Sequence, residues 1–421
     1  MIVKIRTSGI LETASWNIRE TVRRLNLPED IAQRISEPSE QLCLRIHPVM
    51  PDGRTVHAEV FVVRHNDVLG PAKGGIRMTS TVTLEEVAGL AMEMTWKTAL
   101  IGVPFGGGKA GIRADPSALT LADKEVLIRA FTRAVRRLIG PEIYVPAPDM
   151  GTDECDMGHI SDCISHSGGT SITPGCFVTG KPLMLGGITG RREATGYGVV
   201  ATIAAACERL GLRLPACRVA VQGFGNVGSV AAHTIAARGA TVVAVSDVRG
   251  GTVNEDGLDI PKLIEYAKAT GSVDGFPGGR KVSSDDVLLL DCDILIPAAA
   301  DSVIHAENAE DIRATMIAEG ANGPLTPAAD QALAARNVFV IPDILCNSGG
   351  VFVSYLEYTQ ETQREQMTGD EVERRLSRRL QSTFDAVFER AKRTGETMRH
   401  AAMDIAVLRV VDGIVARGLL P

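Results

Sequence analysis

The sequence of 421 residues has no CxxC pair and no cysteine or histidine spacing of the kind that grips a metal ion. Its eight cysteines therefore read mostly as small buried residues in a reducing compartment, and no metal site is expected. No apolar run reaches membrane-spanning length, and the opening MIVKIRTSGILETASW has no long apolar core, so a cytoplasmic protein with no membrane partner is the expectation. No block of like charges forms a tail, and a formal net charge of -7 argues against a broad nucleic-acid footprint. Internal repeats and low-complexity stretches are missing too. What remains, 45% hydrophobic and 23% charged, is enough chain for two or three domains with real cores and small molecules as partners.

In PFGGGKAGI, Pro104–Ile112, three glycines precede Lys109, as in loops whose backbone N–H groups surround phosphates. A P-loop needs GxxxxGK followed by Ser or Thr, but Gly108 follows Gly107 here and Ala110 follows Lys109. The phosphate reading is weak, and Lys109 needs another explanation.

Residues 1–40 read as partly amphipathic helix interrupted at Pro28. LCLRIHPV and TVHAEVFVVRH alternate with period two, as strands joined by a turn at PDG. GPAKGGIRM reads as a loop by its glycines. In Leu84–Leu100, Val87, Leu90, Ala91, Met94 and Thr98 recur at helical spacing, which puts Lys97 near the buried side; a snorkelling stem is the plainer reading for one such lysine. Residues 121–139 read as an arginine-rich helix, EIYVPAPDM as a short strand and a proline-held loop, and Thr152 or Asp153 as the cap of the next helix. The segment from Gly190 reads as a helix of small residues. From Cys217 strands and helices alternate: CRVAVQ, ATVVAVSD, DCDILIPAA, ATMIAEGAN and NVFVIPDIL are apolar strands of a doubly wound sheet, whose ligands bind at the carboxyl ends of the strands. Helices return from about Gly349.

Between CRVAVQ and its following helix, Gly223, Gly225 and Gly228 form GxGxxG. The first glycine permits the turn, the second lets backbone approach a pyrophosphate, and the third lets helix and strand pack. The helix N-terminus adds free N–H groups and a positive dipole end. Asp247 ends the second strand, where a carboxylate accepts hydrogen bonds from a ribose 2′-OH, so NAD is favoured; Arg249, two residues on, keeps NADP open.

Lys73, Lys97 and Lys109 each sit in unusual settings, and Asp149 follows a proline-stiffened stretch. Singly each lysine reads as a surface charge. Together, beside a dinucleotide fold, they suggest a cationic pocket for an anionic substrate. A lysine desolvated among glycines and near other cations has a lowered pKa and can act as a general base toward water, while its protonated form stabilises an oxyanion. The glycines at 106–108 would leave substrate and backbone room to meet.

The segments GPAKGGIRM, EMTWK, PFGGGKAGI, VPAPDMGTDE, VTGKPLMLGG, EATGYGV, GFGNVG, EGANGPLTP and NSGGVFVSYLEY, in order from about residue 41 to 360, resemble the glutamate/leucine/phenylalanine/valine dehydrogenases, and among them the glutamate type. The resemblance implies that Lys97 holds the substrate α-carboxylate, Lys109 is the catalytic lysine and Asp149 shuttles the amine proton. It implies that Lys73 and Ser354 grip a side-chain carboxylate in a pocket also lined by Met94, Ala147 and Val351. Thr195 and Asn347 are similar to residues around the nicotinamide and substrate, Asn322 to a cofactor-binding residue, and Gly223, Phe224, Gly225, Asn226, Val227 and Gly228 to the pyrophosphate turn. Phe105, Ser348 and Tyr358 depart from the family pattern near the pocket.

The implied fold is α/β with two domains and a cleft between them: an α/β substrate domain, residues 1–186 completed by helices of 349–421, and a Rossmann-type dinucleotide domain, residues 187–348. Glycines around 186–190 and 349–350 suit a hinge. The implied activity is reversible NAD(P)-dependent oxidative deamination of L-glutamate to 2-oxoglutarate and ammonia by a homohexamer. Two alternatives stand beside it: a dehydrogenase of an aliphatic or aromatic amino acid, and a catalytically silent regulatory partner that binds glutamate or nucleotide.

Overall fold

Alternating burial along one short segment, residues 40–46, marks the edge of the first sheet. In the computed structural model, which describes residues 9–167 and 175–418, helices α1 (Gly9–Leu25) and α2 (Glu29–Ser36) come first; residues 1–8 of the expected helical stretch lie outside the described residues. β1 (Glu40–Ile46) and β2 (Ala58–Asn66) pair antiparallel around the PDG turn. β3 (Ala72–Thr79), α3 (Leu84–Ile101), β4 (Gly106–Arg113), α4 (Leu121–Ala134), β5 (Tyr144–Pro148) and α5 (Glu154–Ser167) follow, and the five strands form a mixed sheet in the order β1-β2-β4-β3-β5. Ile76, Met78, Ile112, Leu127, Phe131 and Ile160 belong to its core. Each such burial is worth about 1.5–3 kcal/mol.

The two glycine-rich stretches are strands, not loops. A Cβ at Gly74 would stand 1.7 Å from the Gly108 carbonyl, one at Gly106 would stand 1.9 Å from the Asn66 carbonyl, and one at Gly107 would stand 2.1 Å from Thr95 Oγ1. The glycines are required because neighbouring strands and α3 approach too closely for a side chain. The room they leave is filled by the protein itself. α3 begins where Thr83 accepts a hydrogen bond from the Glu86 N–H and ends at Gly102, whose φ of 70° closes the helix. The expected helix over 121–139 stops at Ala134, because the chain turns to bury Val135 and Ile139. Asp153 is the cap of α5, accepting from the N–H groups of Cys155 and Asp156.

The second sheet contains all five strands expected from sequence. α6 (Ala194–Leu210) precedes β6 (Arg218–Gln222), α7 (Asn226–Ala237) and β7 (Thr241–Ser246). β8 (Gly251–Val253), α8 (Ile260–Thr270), β9 (Arg280–Val282), α9 (Ser284–Leu288), β10 (Ile294–Pro297), β11 (Met316–Ala318), α10 (Pro327–Ala335), β12 (Phe339–Ile341) and α11 (Asp343–Cys346) complete it. The order is β12-β11-β10-β6-β7-β8-β9, parallel except for the edge strands β8 and β9. Strand order reverses direction at β6, the switch point where such sheets bind ligands. Ala220, Val243, Leu295, Ile317 and Leu333 fill its core.

Three helices end the chain: α12 (Gly349–Gln363), α13 (Gly369–Thr394) and α14 (Met398–Ala416). One compact unit comprises Met1–Arg191, Val351–Val372 and Asp404–Pro421; the other comprises Arg192–Gly350 and Glu373–Met403. The sequence reading gave all of 349–421 to the first. Residues 373–403 group instead with the second sheet, where Arg209 pairs with Asp385 at 2.6 Å and Arg399 with Asp330 at 3.1 Å. Among the described residues no helix is long and apolar enough to cross a membrane.

Candidate active site

Strand register decides which side chains of the first unit meet. β3 and β4 run parallel with Lys73 opposite Gly107, and β3 and β5 run parallel with Lys73 opposite Val145 and Gly75 opposite Ala147. Side chains alternate along each strand, so Lys73, Arg77, Lys109 and Ala147 share one face, and Asp149 continues the same alternation just past β5. A Cβ at Gly107 or Gly111 on this face would strike Thr95 or Val87 of α3, so α3 covers it. That helix brings Met94, half-buried with Cγ 3.4 Å from where a Gly74 Cβ would lie, and the buried Lys97.

Lys109 and Asp149 make a direct ion pair, and Arg77 reaches the other Asp149 oxygen at 3.4 Å while donating to Glu86 at 2.7 Å. Thr152 Oγ1 accepts from the Asp149 N–H at 2.9 Å and donates to the Ile76 carbonyl at 2.7 Å, which fixes the loop that carries the carboxylate. Burial lowers the Lys109 pKa, with Arg77 and Lys97 adding to the effect and Asp149 opposing it. Burial alone would raise the Asp149 carboxyl; Lys109 and Arg77 more than offset it and hold it well below the usual carboxylate range. The arrangement is a lysine whose burial favours loss of its proton, paired with a carboxylate that two neighbouring cations keep ionised.

Lys73, only 2% exposed, has its pKa lowered to about 7 by burial and then by Arg191, with Cys176 and Glu357 acting the other way. Arg191 Nε donates to Ser354 Oγ at 2.8 Å. The sequence does not single out Arg191 or Arg77, although Arg77 lies in the matching segment GPAKGGIRM and Arg191 just before EATGYGV; the signal available is a cation inside or beside a glycine-rich stretch. Ser354 sits on α12, with Val351, half-buried, one turn earlier. Behind it, Glu357 accepts from Lys181 Nζ at 2.8 Å and from the Gly180 N–H at 2.7 Å, and Glu361 accepts from the same ammonium at 2.8 Å. This buried network locks α12 to the TGKP segment, and so fixes the height of Ser354.

Two of the three departures are explained by packing. Phe105 is fully buried and meets Tyr358 and Tyr355 edge-on, with ring centroids 5.1 and 6.1 Å away, while the Tyr358 hydroxyl donates to the Pro141 carbonyl. Ser348 Oγ, in the second unit, donates to the Leu345 carbonyl.

In the second unit the three glycines of GFGNVG show three different environments. Gly223 has φ 97°, and a Cβ on it would stand 2.7 Å from the Ala298 backbone. A Cβ at Gly228 would stand 1.9 Å from the Gly223 carbonyl, whereas at Gly225 it would meet nothing within 4 Å. Turn, packing contact and open approach are the three properties a pyrophosphate turn needs. Asn226 and Val227 start α7, Phe224 is half-buried beside them, and Thr195 lies in the first turn of α6, next to Gly196, whose Cβ would strike Val230 of α7.

Asp247, just past β7, accepts from Ser272 Oγ at 3.0 Å and from the N–H groups of Arg249 and Val273 at 2.8 and 2.7 Å. The carboxylate thus also clamps the turn after α8, a role the sequence did not reveal. Beyond β11, Asn347 Nδ2 donates to the Ala321 carbonyl at 3.0 Å and to Asn322 Oδ1 at 2.9 Å, while Asn347 Oδ1 is buried without a partner. An open backbone at Gly225 and an unpartnered buried acceptor at Asn347 suit a dinucleotide, which offers phosphate oxygens to the first and hydroxyl or amide donors to the second.

Comparison with known proteins agrees with this geometry. Residues 186–418 match the model of the Glutamate/Leucine/Phenylalanine/Valine dehydrogenase family, and residues 38–166 match its dimerisation domain. A glutamate dehydrogenase of Thermotoga maritima is 42% identical over 98% of this chain and 99% of its own length. An NADP-specific glutamate dehydrogenase of Saccharolobus shibatae is 40% identical, covering 99% of each chain. An NAD-specific one of Halobacterium salinarum is 41% identical over 98% of this chain and 94% of its own. The crystal structure of a hetero-hexameric glutamate dehydrogenase of Thermus thermophilus, in its leucine-bound form, superposes with a TM-score of 0.94 at 33% identity, covering all of both chains. With both of its halves matched, this chain belongs to the glutamate/leucine/phenylalanine/valine dehydrogenase family.

Proposed function

We propose that the protein catalyses the reversible oxidative deamination of L-glutamate to 2-oxoglutarate and ammonia, with the first unit binding the amino acid and the second the dinucleotide. The observation that carries the choice of substrate is the buried Lys73, which feels the charge of Arg191, itself a donor to Ser354. An aliphatic side chain placed there would leave an ammonium buried against hydrocarbon, at a cost of several kcal/mol; a second carboxylate pairs with it. Lys97 takes the α-carboxylate, and Met94, Ala147 and Val351 line the stem between the two charges.

Asp149 accepts the proton from the substrate ammonium, which frees the nitrogen lone pair. The bound dinucleotide supplies the acceptor for the hydride that leaves Cα. Lys109 in its neutral form then takes a proton from the water that attacks the iminium carbon, and as an ammonium it stabilises the oxygen of the adduct. Asp149 returns its proton to the departing nitrogen, ammonia leaves, and the hydroxyl proton is released as the carbonyl forms. Once Lys109 is neutral, the larger of the two charges that depress the Asp149 pKa is gone and only Arg77 remains, so the carboxylate regains part of its basicity when it must hold that proton.

Gly223–Gly228 would hold the pyrophosphate, Asp247 the adenosine ribose, and Thr195, Asn322 and Asn347 the nicotinamide half. Relatives of both cofactor specificities occur in the family; the carboxylate of Asp247 favours NAD here. A cytoplasmic homohexamer completes the proposal, tested by a native mass six times the 44.7 kDa of the chain.

The direct test follows reduced dinucleotide with glutamate, leucine, valine, phenylalanine and tryptophan in parallel. Glutamate is expected to give the highest kcat/KM, and a preference for any apolar amino acid would sink the Lys73 argument. With glutamate, wild type is expected to favour NAD over NADP by at least about tenfold, and Asp247→Ser to lose most of that preference. A wild-type preference for NADP would mean that the exposed Arg249 outweighs Asp247. Turnover of glutamate also separates this reading from a silent partner, for which the Lys109–Asp149 pair would have no use.

A further inference from the structure

Four buried charged residues in the second unit have no part in the chemistry above. Glu319 follows β11 directly, Asp330 lies on α10, Asp343 opens α11, and Arg399 lies in the first turn of α14; they are 0%, 7%, 4% and 6% exposed. The Arg399 guanidinium contacts all three carboxylates: Glu319 through two of its nitrogens, Asp330 at 3.1 Å and Asp343 at 3.5 Å. One cation facing three carboxylates is an expensive arrangement inside a protein, and hydrophobic residues of like volume would serve stability as well or better. Burial raises the Glu319 pKa to about 7, with Arg399 opposing and Asp343 and Asp330 reinforcing the rise. The placement suggests why such a cluster is kept.

The segment that begins at Glu319 is gripped at both ends. Glu319 Oε2 accepts from the Asp343 N–H at 2.7 Å, and Asp343 Oδ2 accepts from the Gly323 N–H at 2.9 Å. Between these points lie Gly320, Ala321 and Asn322, whose oxygens receive the Asn347 amide and so orient its unpartnered Oδ1. In the sheet, β7 lies on one side of β6, and β10 and β11 lie on the other. A dinucleotide crossing at β6 with its adenosine half over the end of β7 lays its nicotinamide half over the ends of β10 and β11.

We propose that Glu319, held by Arg399, is a positioning residue for the nicotinamide half of the dinucleotide, acting through the 320–323 segment and Asn347 without touching the ligand. The inference rests on the dinucleotide reading of this unit. Its test compares two ligands that share the adenosine and pyrophosphate groups, NADH and ADP-ribose, titrated by calorimetry against the full-length wild type and Glu319→Gln. The variant keeps the size of the side chain but replaces a charged acceptor by a neutral amide with one oxygen in place of two, so that one Arg399 nitrogen is left facing an NH2 group. NADH binding is expected to weaken about tenfold and ADP-ribose binding to stay within about twofold, a difference of about 1 kcal/mol or more between the two ligands. Equal weakening of both would reduce the cluster to support of the fold, and unchanged binding of both would remove the role altogether. If Glu319→Gln does not fold, Arg399→Lys, which keeps the charge but loses the fork, is held to the same criterion with a loss of about threefold for NADH alone. A wild type that binds neither ligand would overturn the dinucleotide reading itself, a result distinct from each of these.

Discussion

Replacing Lys109 by alanine is expected to lower kcat for glutamate oxidation by about ten-thousandfold or more, with dinucleotide binding unchanged. General-base catalysis is typically worth about 10² to 10⁴ in rate and oxyanion stabilisation about 10² to 10³, and on this reading a single amine supplies both. The protein should still fold, because Asp149 keeps Arg77 as a partner when the lysine is gone. Asp149→Asn tests the other half of the pair: it preserves shape but cannot carry the amine proton, and a loss of about a hundredfold or more in kcat is expected. Single-turnover measurements at saturating substrate would show whether the lost step is chemistry. A Lys109→Ala enzyme with full turnover would remove this mechanism and leave only the binding assignments.

Replacing Lys73 by methionine is expected to divide kcat/KM for glutamate by about a thousand while making the ligand-free protein more stable by about 1–4 kcal/mol. The first effect is the loss of a desolvated charge–charge contact with the side-chain carboxylate, and the second is the removal of a buried ammonium crowded by Arg191 and Lys109. Its sign is fixed by linkage. In the folded chain the Lys73 pKa is lowered from 10.5 to about 7, so between those values the unfolded chain holds the extra proton and wild-type stability rises as pH rises. The variant lacks that slope, and its advantage should shrink as pH climbs towards 10.5. The same shift predicts ligand binding: a dicarboxylate needs the ammonium, so affinity for 2-oxoglutarate should fall above pH 7 by up to about tenfold per unit, with a proton taken up on binding. Calorimetry in buffers of different ionisation enthalpy measures that uptake directly. Affinity that stays flat from about pH 6.5 to 8.5, or uptake of no proton, would remove Lys73 from the carboxylate site.

Much of the second sheet could be read directly from the chain. Its strands are short apolar runs bounded by turn residues, and parallel strands covered on both faces keep that signature whatever surrounds them. β8 and β9 were missed because three-residue edge strands carry too little periodicity to register. The first sheet was harder. GPAKGGIRM reads as a loop and PFGGGKAGI carries no strand signature, because glycine is rare in strands, yet here it is demanded by neighbours that would stand 1.7 to 2.1 Å from a Cβ. Propensity describes a residue alone, whereas those glycines answer to Asn66, Thr95 and each other.

By itself, the sequence determined the kind of chemistry: a GxGxxG turn between strand and helix, and three lysines with one aspartate in segments resembling an amino-acid dehydrogenase. Local spacing suffices there, because a turn or a cap is made by residues within a few positions of one another. Tertiary structure alone decided which charges meet. Period-two alternation says that Lys73 and Arg77 share a face, but only the parallel register of β3 with β4 and β5 sets Lys109 and Asp149 on that face. The same holds for Arg191 beside Ser354, and for Arg399 among Glu319, Asp330 and Asp343. These groups lie far apart in the chain, and their energies depend on burial and on charges brought in by other elements, which a one-dimensional pattern does not contain.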